Sequence, residues 1–475
     1  MEHLPDDVLV AVMQYLGVQD LFACRLTCKR LASLVLHRDV WRVKDISDSE
    51  GCVCPVLHLA PCLRRLSVCF PKTRCRDAYT STRCAVAELK ISFRKKSGAM
   101  HATAVICRQE ALGRLKNIGI LLDKKTADLA ADADESILLR TLASTSGLVG
   151  LLVFGISLPT TAQAMMGITV STPSLQRFVC DLCPNSEHFV NFILAGHAST
   201  LESVALTCSA GVAGLTSTAP LLASLPNLRV LQSWHLVGMG AVAACEKLNE
   251  LRIFVSSRRE DEPVEGAADL LRRAKHLKKV QLSYFPPARS AEDIGVDLVT
   301  VLAAGRSRSH LESLCIENSQ LRSNEHHFPQ REALLHALPS LSALVHLKVL
   351  AVVDPDELLL AIRPDMVPAL QHIGVRLPRE KCAHAWIHSH TARAVLKVNP
   401  SIHVKLDALT PACSLQTCQA CVLGCHEVMK SRNPDKYKKY KLTSFTVFSH
   451  DPMDKCAQSH TVVNENTLWI HIPVV

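Results

Sequence analysis

The sequence predicts an α/β chain, in which a small helical segment at the start leads into a solenoid with a curved parallel sheet inside and helices outside. Three observations predict it. The pattern L-x-x-L-x-(L/I/V), with other apolar residues admitted at each place, returns again and again between positions 63 and 375. Helix-like stretches such as Ala267–Arg273 and Asp297–Ala304 fall between those strand-like ones. Finally, positions 8–41 carry apolar residues at helical spacing, in runs too short to bury them all.

Composition sets the outer limits. A chain of 475 residues exceeds what one compact core holds, so it divides into domains or grows by stacking repeats. Hydrophobic residues at 48% and charged residues at 20% describe a folded protein. The net charge of +9 is spread along the chain and aromatics are only 4%, so no nucleic-acid groove is expected. Residues 1–20 lack a basic leader region, and Asp6, Asp7 and Asp20 interrupt any apolar core, so a secretory signal is not expected. The expected location is therefore cytoplasmic, nuclear or both. There the 20 cysteines act as reduced, mostly buried small hydrophobes. The stretch Thr141–Gln176 has no charged residue, but Gly147, Gly150, Gly155, Pro159 and Gly167 break it. Buried strand and turn suit it better than a membrane-spanning helix.

At the N-terminus, Val8, Leu9, Val12, Met13 and Leu16 recur at helical spacing, with Pro5 suited to the first turn and Gly17 to the end. A second apolar set follows (Leu21, Phe22, Leu26, Cys28, Leu31, Leu34, Val35), and Trp41 closes the segment. Three short helices cannot enclose so much apolar surface. Some of it faces a partner, or it covers the end of the following repeats.

Leu4-Pro5-Asp6-Asp7-Val8-Leu9, Tyr15-Leu16, Asp20-Leu21, Cys28-Lys29-Arg30-Leu31 and Val40-Trp41-Arg42, in this order and spacing, resemble the F-box. Gly17-Val18 stands where that family often has an acidic-proline turn. The resemblance implies a three-helix domain over residues 1–46 that docks a Skp-type adaptor and, through it, a cullin. Leu4, Pro5, Val8, Leu9, Val12, Leu16, Leu21, Cys28 and Trp41 are its candidate adaptor-binding residues.

The repeats begin at Leu63-Leu66-Val68, Val86-Leu89-Ile91, Leu115-Ile118-Ile120, Leu148-Leu151-Val153, Leu175-Phe178-Cys180 and Leu201-Val204-Leu206. They continue at Leu228-Leu231, Leu248-Leu251-Ile253, Leu277-Val280-Leu282, Leu311-Leu314-Ile316, Leu347-Leu350-Val352 and Leu370-Ile373-Val375. The mean step of about 28 residues lies in the leucine-rich-repeat range, and its unevenness predicts an irregular solenoid over 47–400 with loop insertions. Residues 401–475 form a cysteine-rich, basic and partly irregular segment.

Within that segment Cys413, Cys418, Cys421, Cys425 and His426 could present thiolates to zinc or an iron–sulfur cluster. Cysteine is abundant throughout the chain and no second C-x-x-C pair stands at a finger-like distance, so neither metal nor any other cofactor is expected. The run Lys436-Tyr437-Lys438-Lys439-Tyr440-Lys441 reads as a solvated tail, and Thr467–Ile472 as one more strand. No phosphate-binding glycine loop, G-x-S-x-G or H-E-x-x-H occurs, and the carboxylates Glu260-Asp261-Glu262 sit beside Arg258-Arg259 in a loop. No enzyme site is legible.

The expected function is substrate recognition within a Skp/cullin/F-box-type ubiquitin ligase, without catalysis by this chain. The alternative is a leucine-rich-repeat scaffold not coupled to ubiquitination. The expected partners are the adaptor, the cullin and a protein substrate, with no nucleic acid and no membrane. In each strand the second and third apolar residues point into the core, so residues of the other parity face the concave side. This places Phe154, Trp234, Arg252, Phe254 and Lys279 as candidate substrate-binding residues. Ser233 occupies an expected apolar place, and a one-residue shift of that repeat would turn Trp234 inward.

Overall fold

The computed structural model describes residues 4–70, 75–93, 98–122, 132–155, 167–170, 172–207, 217–256, 264–285, 297–318, 331–350, 355–377, 383–408, 443–451 and 467–472. Two compact units divide the chain, Met1–Leu228 and Arg229–Val475.

The first unit opens with α1 (Asp6–Met13), α2 (Val18–Thr27), α3 (Lys29–Val35) and a single further turn, α4 (Arg38–Trp41). Pro5 caps α1 and the acidic pair Asp6 and Asp7 fills its first turn, where negative charge complements the helix dipole. Gly17 serves as the N-cap of α2 rather than closing α1. The open carbonyls beyond α1 are taken by Lys44, whose Nζ donates to Gln14 O at 2.6 Å and Leu16 O at 2.5 Å. Leu9, Leu21, Val35, Val40 and Trp41 form the helical core. The Trp41 ring lies 6.1 Å from that of Phe22, and its Nε1 donates to Val35 O at 2.6 Å.

A short strand not foreseen from the sequence, β1 (Asp45–Ser47), pairs in parallel with β2 (Cys62–Phe70) and fastens the helices to the repeats. The strands β3 (Ala85–Phe93), β4 (Asn117–Leu122), β5 (Gly150–Phe154), β6 (Arg177–Asp181) and β7 (Ser203–Thr207) follow in chain order, each parallel to the last. Their register aligns the apolar places into two ladders. One runs through Leu66, Leu89, Ile118, Leu151, Phe178 and Val204, the other through Val68, Ile91, Ile120, Val153, Cys180 and Leu206. None of these twelve side chains is more than 2% exposed, so the repeat pattern and the core coincide. The helices Cys54–Leu59 (α5), Arg76–Ser81 (α6), Ala99–Ala111 (α7) and Asp132–Ser144 (α8), then Glu187–Gly196 and Thr218–Ala223, pack each against the next.

The asparagine usual in such repeats is mostly missing, and other polar side chains satisfy the buried turns. Gln109 is fully buried; its Oε1 accepts from Val86 N at 2.9 Å and its Nε2 donates to Cys84 O at 3.1 Å. Thr82 Oγ1 donates to Leu57 O at 2.6 Å. Gln109→Ala strands two buried backbone groups at about 1–3 kcal/mol each, so the melting temperature should fall by several degrees. A melt that matches wild type would show that water replaces the side chain.

In the uncharged stretch the described residues are the end of α8, strand β5 and turns. Gly147, Gly155 and Gly167 adopt the left-handed φ values 68°, 84° and 74° that favour glycine. No helix among the described residues is long and apolar enough to cross a membrane.

The second unit continues the scheme with β8 (Val230–Trp234), β9 (Glu250–Ser256), β10 (Lys279–Phe285), β11 (Ser313–Asn318), β12 (His346–Leu350), β13 (His372–Leu377) and β14 (His403–Ala408), all parallel neighbours. Past residue 400, β15 (Thr443–Phe448) turns antiparallel to β14, and β16 (Thr467–His471) lies parallel to β15. The apolar ladder here is Leu231, Leu251, Val280, Leu314, Leu347, Ile373 and Val404. It corrects one repeat. Leu347 occupies the second apolar place, so this strand reads Leu344-Leu347-Val349 rather than Leu347-Leu350-Val352. Both triplets satisfy the same spacing, and only the pairing with β11 and β13 separates them. The helical stretches foreseen at 267–273 and 297–304 are helices Glu265–Arg273 and Leu298–Ala304. The second is capped by Asp297, whose carboxylate accepts from Val299 N and Thr300 N at 2.9 and 3.2 Å. Cys413 to His426, Lys436 to Lys441 and the charged run 258–262 lie outside the described residues.

Candidate functional site

Two surfaces stand out, one in each unit. On the N-terminal helices, Val8 and Val12 are exposed apolar side chains one turn apart on α1, and Leu4, just before the helix, and Tyr15, just after it, are also exposed and bring this apolar stripe to four residues. Tyr15 is 90% exposed, and Leu26 at the end of α2 is 88% exposed. The start of this stripe is fixed by Arg30, whose guanidinium donates to Asp6 Oδ1 at 2.6–2.8 Å and to the Leu4 carbonyl. The pair is partly exposed, so it steers geometry more than it adds stability. Cys28 is exposed and caps α3, its Sγ accepting from Leu31 N at 3.4 Å.

In the second unit, the sheet face turned away from the apolar ladder carries an aromatic patch. Trp234 pairs in register with Phe254, and their ring centroids are 5.5 Å apart. Phe285 packs at 5.8 Å against both. Ser233 is fully buried on the opposite side and donates to the Trp234 carbonyl at 2.9 Å, so the register does not shift and Trp234 keeps the outer face, half-buried. Arg252 stacks over Phe254, its Cζ 4.8 Å from the ring centroid, and reaches Glu317 at 3.4 Å. Glu317 also accepts from Gln281 Nε2 at 3.0 Å and Ser283 Oγ at 3.3 Å. Lys279 is exposed and pairs with Glu250 at 2.5 Å.

Further along the same face the register stacks three histidines. His346 and His372 lie 4.6 Å apart and His372 and His403 4.7 Å apart, with ring planes within 14° and 11° of parallel. Lys348 and Lys405 flank Gly374 in the adjacent row. A Cβ on Gly374 would come within 3.0 Å of the Lys348 side chain, so the glycine lets that lysine lie across the sheet. Burial, and next the neighbouring His346, lowers the His372 pKa to about 4. A folded-state pKa below the ordinary value of 6.5 means the unfolded chain binds the proton first. Neutral His372 therefore contributes stability above pH 6.5 and loses it as pH falls toward about 4. His372→Gln should flatten the dependence of melting temperature on pH across that window, and an unchanged slope would show that other groups set it.

A family model described as F-box-like matches residues 1–47, the segment that carries the exposed α1 stripe. These residues are an F-box-like domain. No curated protein matches the chain in sequence. Among solved structures, it is similar to a chain in the crystal structure of the yeast Rad7 and Elc1 complex, at 14% identity and a TM-score of 0.32 over 78% of this chain and 88% of that one. It is also similar to a chain in the crystal structure of the TLR13–ssRNA13 complex, at 12% identity and a TM-score of 0.34 over 78% of this chain and 53% of that one.

Within the F-box-like domain the residues read from the sequence separate into two groups. Leu4, Pro5, Val8, Val12 and Cys28 are exposed and Leu16 is half-buried, whereas Leu9, Leu21 and Trp41 are buried in the helical core and present no docking surface. Tyr15 and Leu26 were missed as surface residues, although Tyr15 falls in the F-box-like pattern and Leu26 in the second apolar set. Of the substrate-face residues, Trp234, Arg252, Phe254 and Lys279 share one face of β8–β10, with Phe254 covered by its neighbours. Phe154 is half-exposed on β5 of the first unit. Phe285 and Glu317 complete the patch; they lie past Leu282 and Ile316, the last apolar places of their repeats. The stacked histidines did leave a signal, since His346-Leu347-Lys348-Val349, His372-Ile373-Gly374-Val375 and His403-Val404-Lys405-Leu406 repeat one motif.

Proposed function

We propose that this chain is the substrate-recognition subunit of a Skp/cullin/F-box-type ubiquitin ligase and that it works in the cytosol or nucleus. The observation that carries the proposal is the F-box-like domain at residues 1–47 together with its stripe of exposed apolar side chains, Leu4, Val8, Val12 and Tyr15. Such a stripe gains from burial at about 25 cal/mol per Å² of apolar surface, and a Skp-type adaptor supplies the cover. The adaptor brings a cullin, and the repeats bring a protein substrate through Trp234, Arg252 and their neighbours on β8–β10. The chain itself makes and breaks no bond. Its contribution is proximity, which turns transfer of ubiquitin between separate molecules into transfer at high effective concentration.

The direct test is binding of a purified Skp-type adaptor to the full chain. Val8→Asp with Val12→Asp places two carboxylates on the exposed stripe, where docking would bury them unpaired at several kcal/mol. Adaptor binding should be lost while the melt stays near wild type. Wild-type affinity in that variant overturns the assignment of the stripe.

A further inference from the structure

The loops that follow β1 and β2 bring three thiols together. Cys52 and Cys54 flank Val53 at the entry to α5, and Cys75 stands immediately before α6. Cys52 Sγ and Cys75 Sγ are 3.6 Å apart, and the three sulfurs all lie within 4.8 Å of one another. A disulfide needs sulfurs about 2.05 Å apart. Around a tetrahedral ion with metal–sulfur bonds of about 2.3 Å, neighbouring sulfurs are about 3.8 Å apart. The Cys52–Cys75 separation is close to the second geometry and far from the first.

A separate set of bonds holds the two loops in place. Asp48, 2% exposed and on the same loop as Cys52 and Cys54, accepts from Cys69 N on β2 at 2.9 Å and from the Tyr79 hydroxyl on α6 at 3.1 Å. Tyr79 lies four residues past Cys75, so one buried carboxylate ties together the segments that carry all three sulfurs. Cys75 is buried, Cys54 half-buried and Cys52 exposed, which gives the cluster a closed floor and one open side.

We propose that Cys52, Cys54 and Cys75 form a binding site for a thiophilic d10 cation, Zn2+ or Cu+. Three thiols give up their protons and ligate the ion as thiolates. For Zn2+ a water completes the tetrahedron on the open side at Cys52, and for Cu+ the three sulfurs suffice. The ion clamps the first repeat to the second, at the junction where β1 anchors the F-box-like domain. No finger-like spacing marks this site, because a C-x-C pair and a lone cysteine on the next repeat meet only through the fold.

The test uses the full chain, stripped of metal by a chelator under reducing conditions and titrated with Co2+ as a spectroscopic probe. One equivalent of Co2+ should give thiolate-to-cobalt charge-transfer absorption, and Zn2+ should displace it. Cys52→Ser, at the exposed ligand, should weaken binding by about tenfold or more while the melt of the metal-free chain is unchanged. Cys52→Ser with Cys75→Ser should abolish the absorption. Cys413→Ser, Cys418→Ser, Cys421→Ser and Cys425→Ser together should leave it intact. Competition between Zn2+ and Cu+ against chelators of known affinity decides which ion the site prefers. Retention of the absorption in Cys52→Ser/Cys75→Ser, or its loss in the fourfold variant alone, overturns the proposal. So does an absence of binding, or, in the chain as purified before any reductant, a disulfide-linked peptide pair joining Cys75 to Cys52 or Cys54.

Discussion

Trp41→Ala should unfold the F-box-like domain. Its indole is fully buried, packs beside Phe22 and gives its one polar hydrogen to the Val35 carbonyl. Truncating a buried tryptophan costs about 3–5 kcal/mol, and a domain this small holds only a few kcal/mol in total. Hydrogen exchange over residues 4–47 should therefore become fast and adaptor binding should disappear. Persistent protection in that variant would mean that the four helices draw their stability from elsewhere.

Trp234→Ala should reduce capture of the protein substrate by about 2 kcal/mol or more, roughly thirtyfold in affinity. Trp234, like Phe285, is half-buried in the aromatic patch, so its truncation removes contact area for a partner without opening the repeat core. Phe254 is a poorer probe. It is only 7% exposed, beneath Arg252 and between Trp234 and Phe285, so Phe254→Ala lowers stability and binding together. Quantitative comparison of captured proteins from Trp234→Ala and wild type, alongside their melts, separates the two effects. Equal capture would move the substrate away from β8–β10.

The repeats were legible because one physical requirement recurs. Each strand must bury its second and third apolar residues, and twelve such side chains in the first unit align in register with none more than 2% exposed. The same regularity misled once. Leu344, Leu347 and Leu350 offer two triplets of identical spacing, and only hydrogen bonding to the neighbouring strands chooses between them. That slip also hid His346, which changes face when the register moves. In the helical domain the sequence shows which residues are apolar but not which side of a short helix meets its own core. Leu9, Leu21 and Trp41 turn inward, while Tyr15 and Leu26 remain outside. Phe285 and Glu317 became visible only when pairing of β10 with β9 and β11 set them beside Phe254 and Ser283.

Affinity purification of the full chain from cells with the proteasome blocked, in wild type and in Val8→Asp/Val12→Asp, tests the central claim most directly. Wild type should bring down an adaptor, a cullin and at least one ubiquitin-modified protein. The variant should keep the captured protein, now unmodified, and lose both adaptor and cullin. A wild-type chain that captures proteins with no cullin, or a variant that still carries one, would contradict the account.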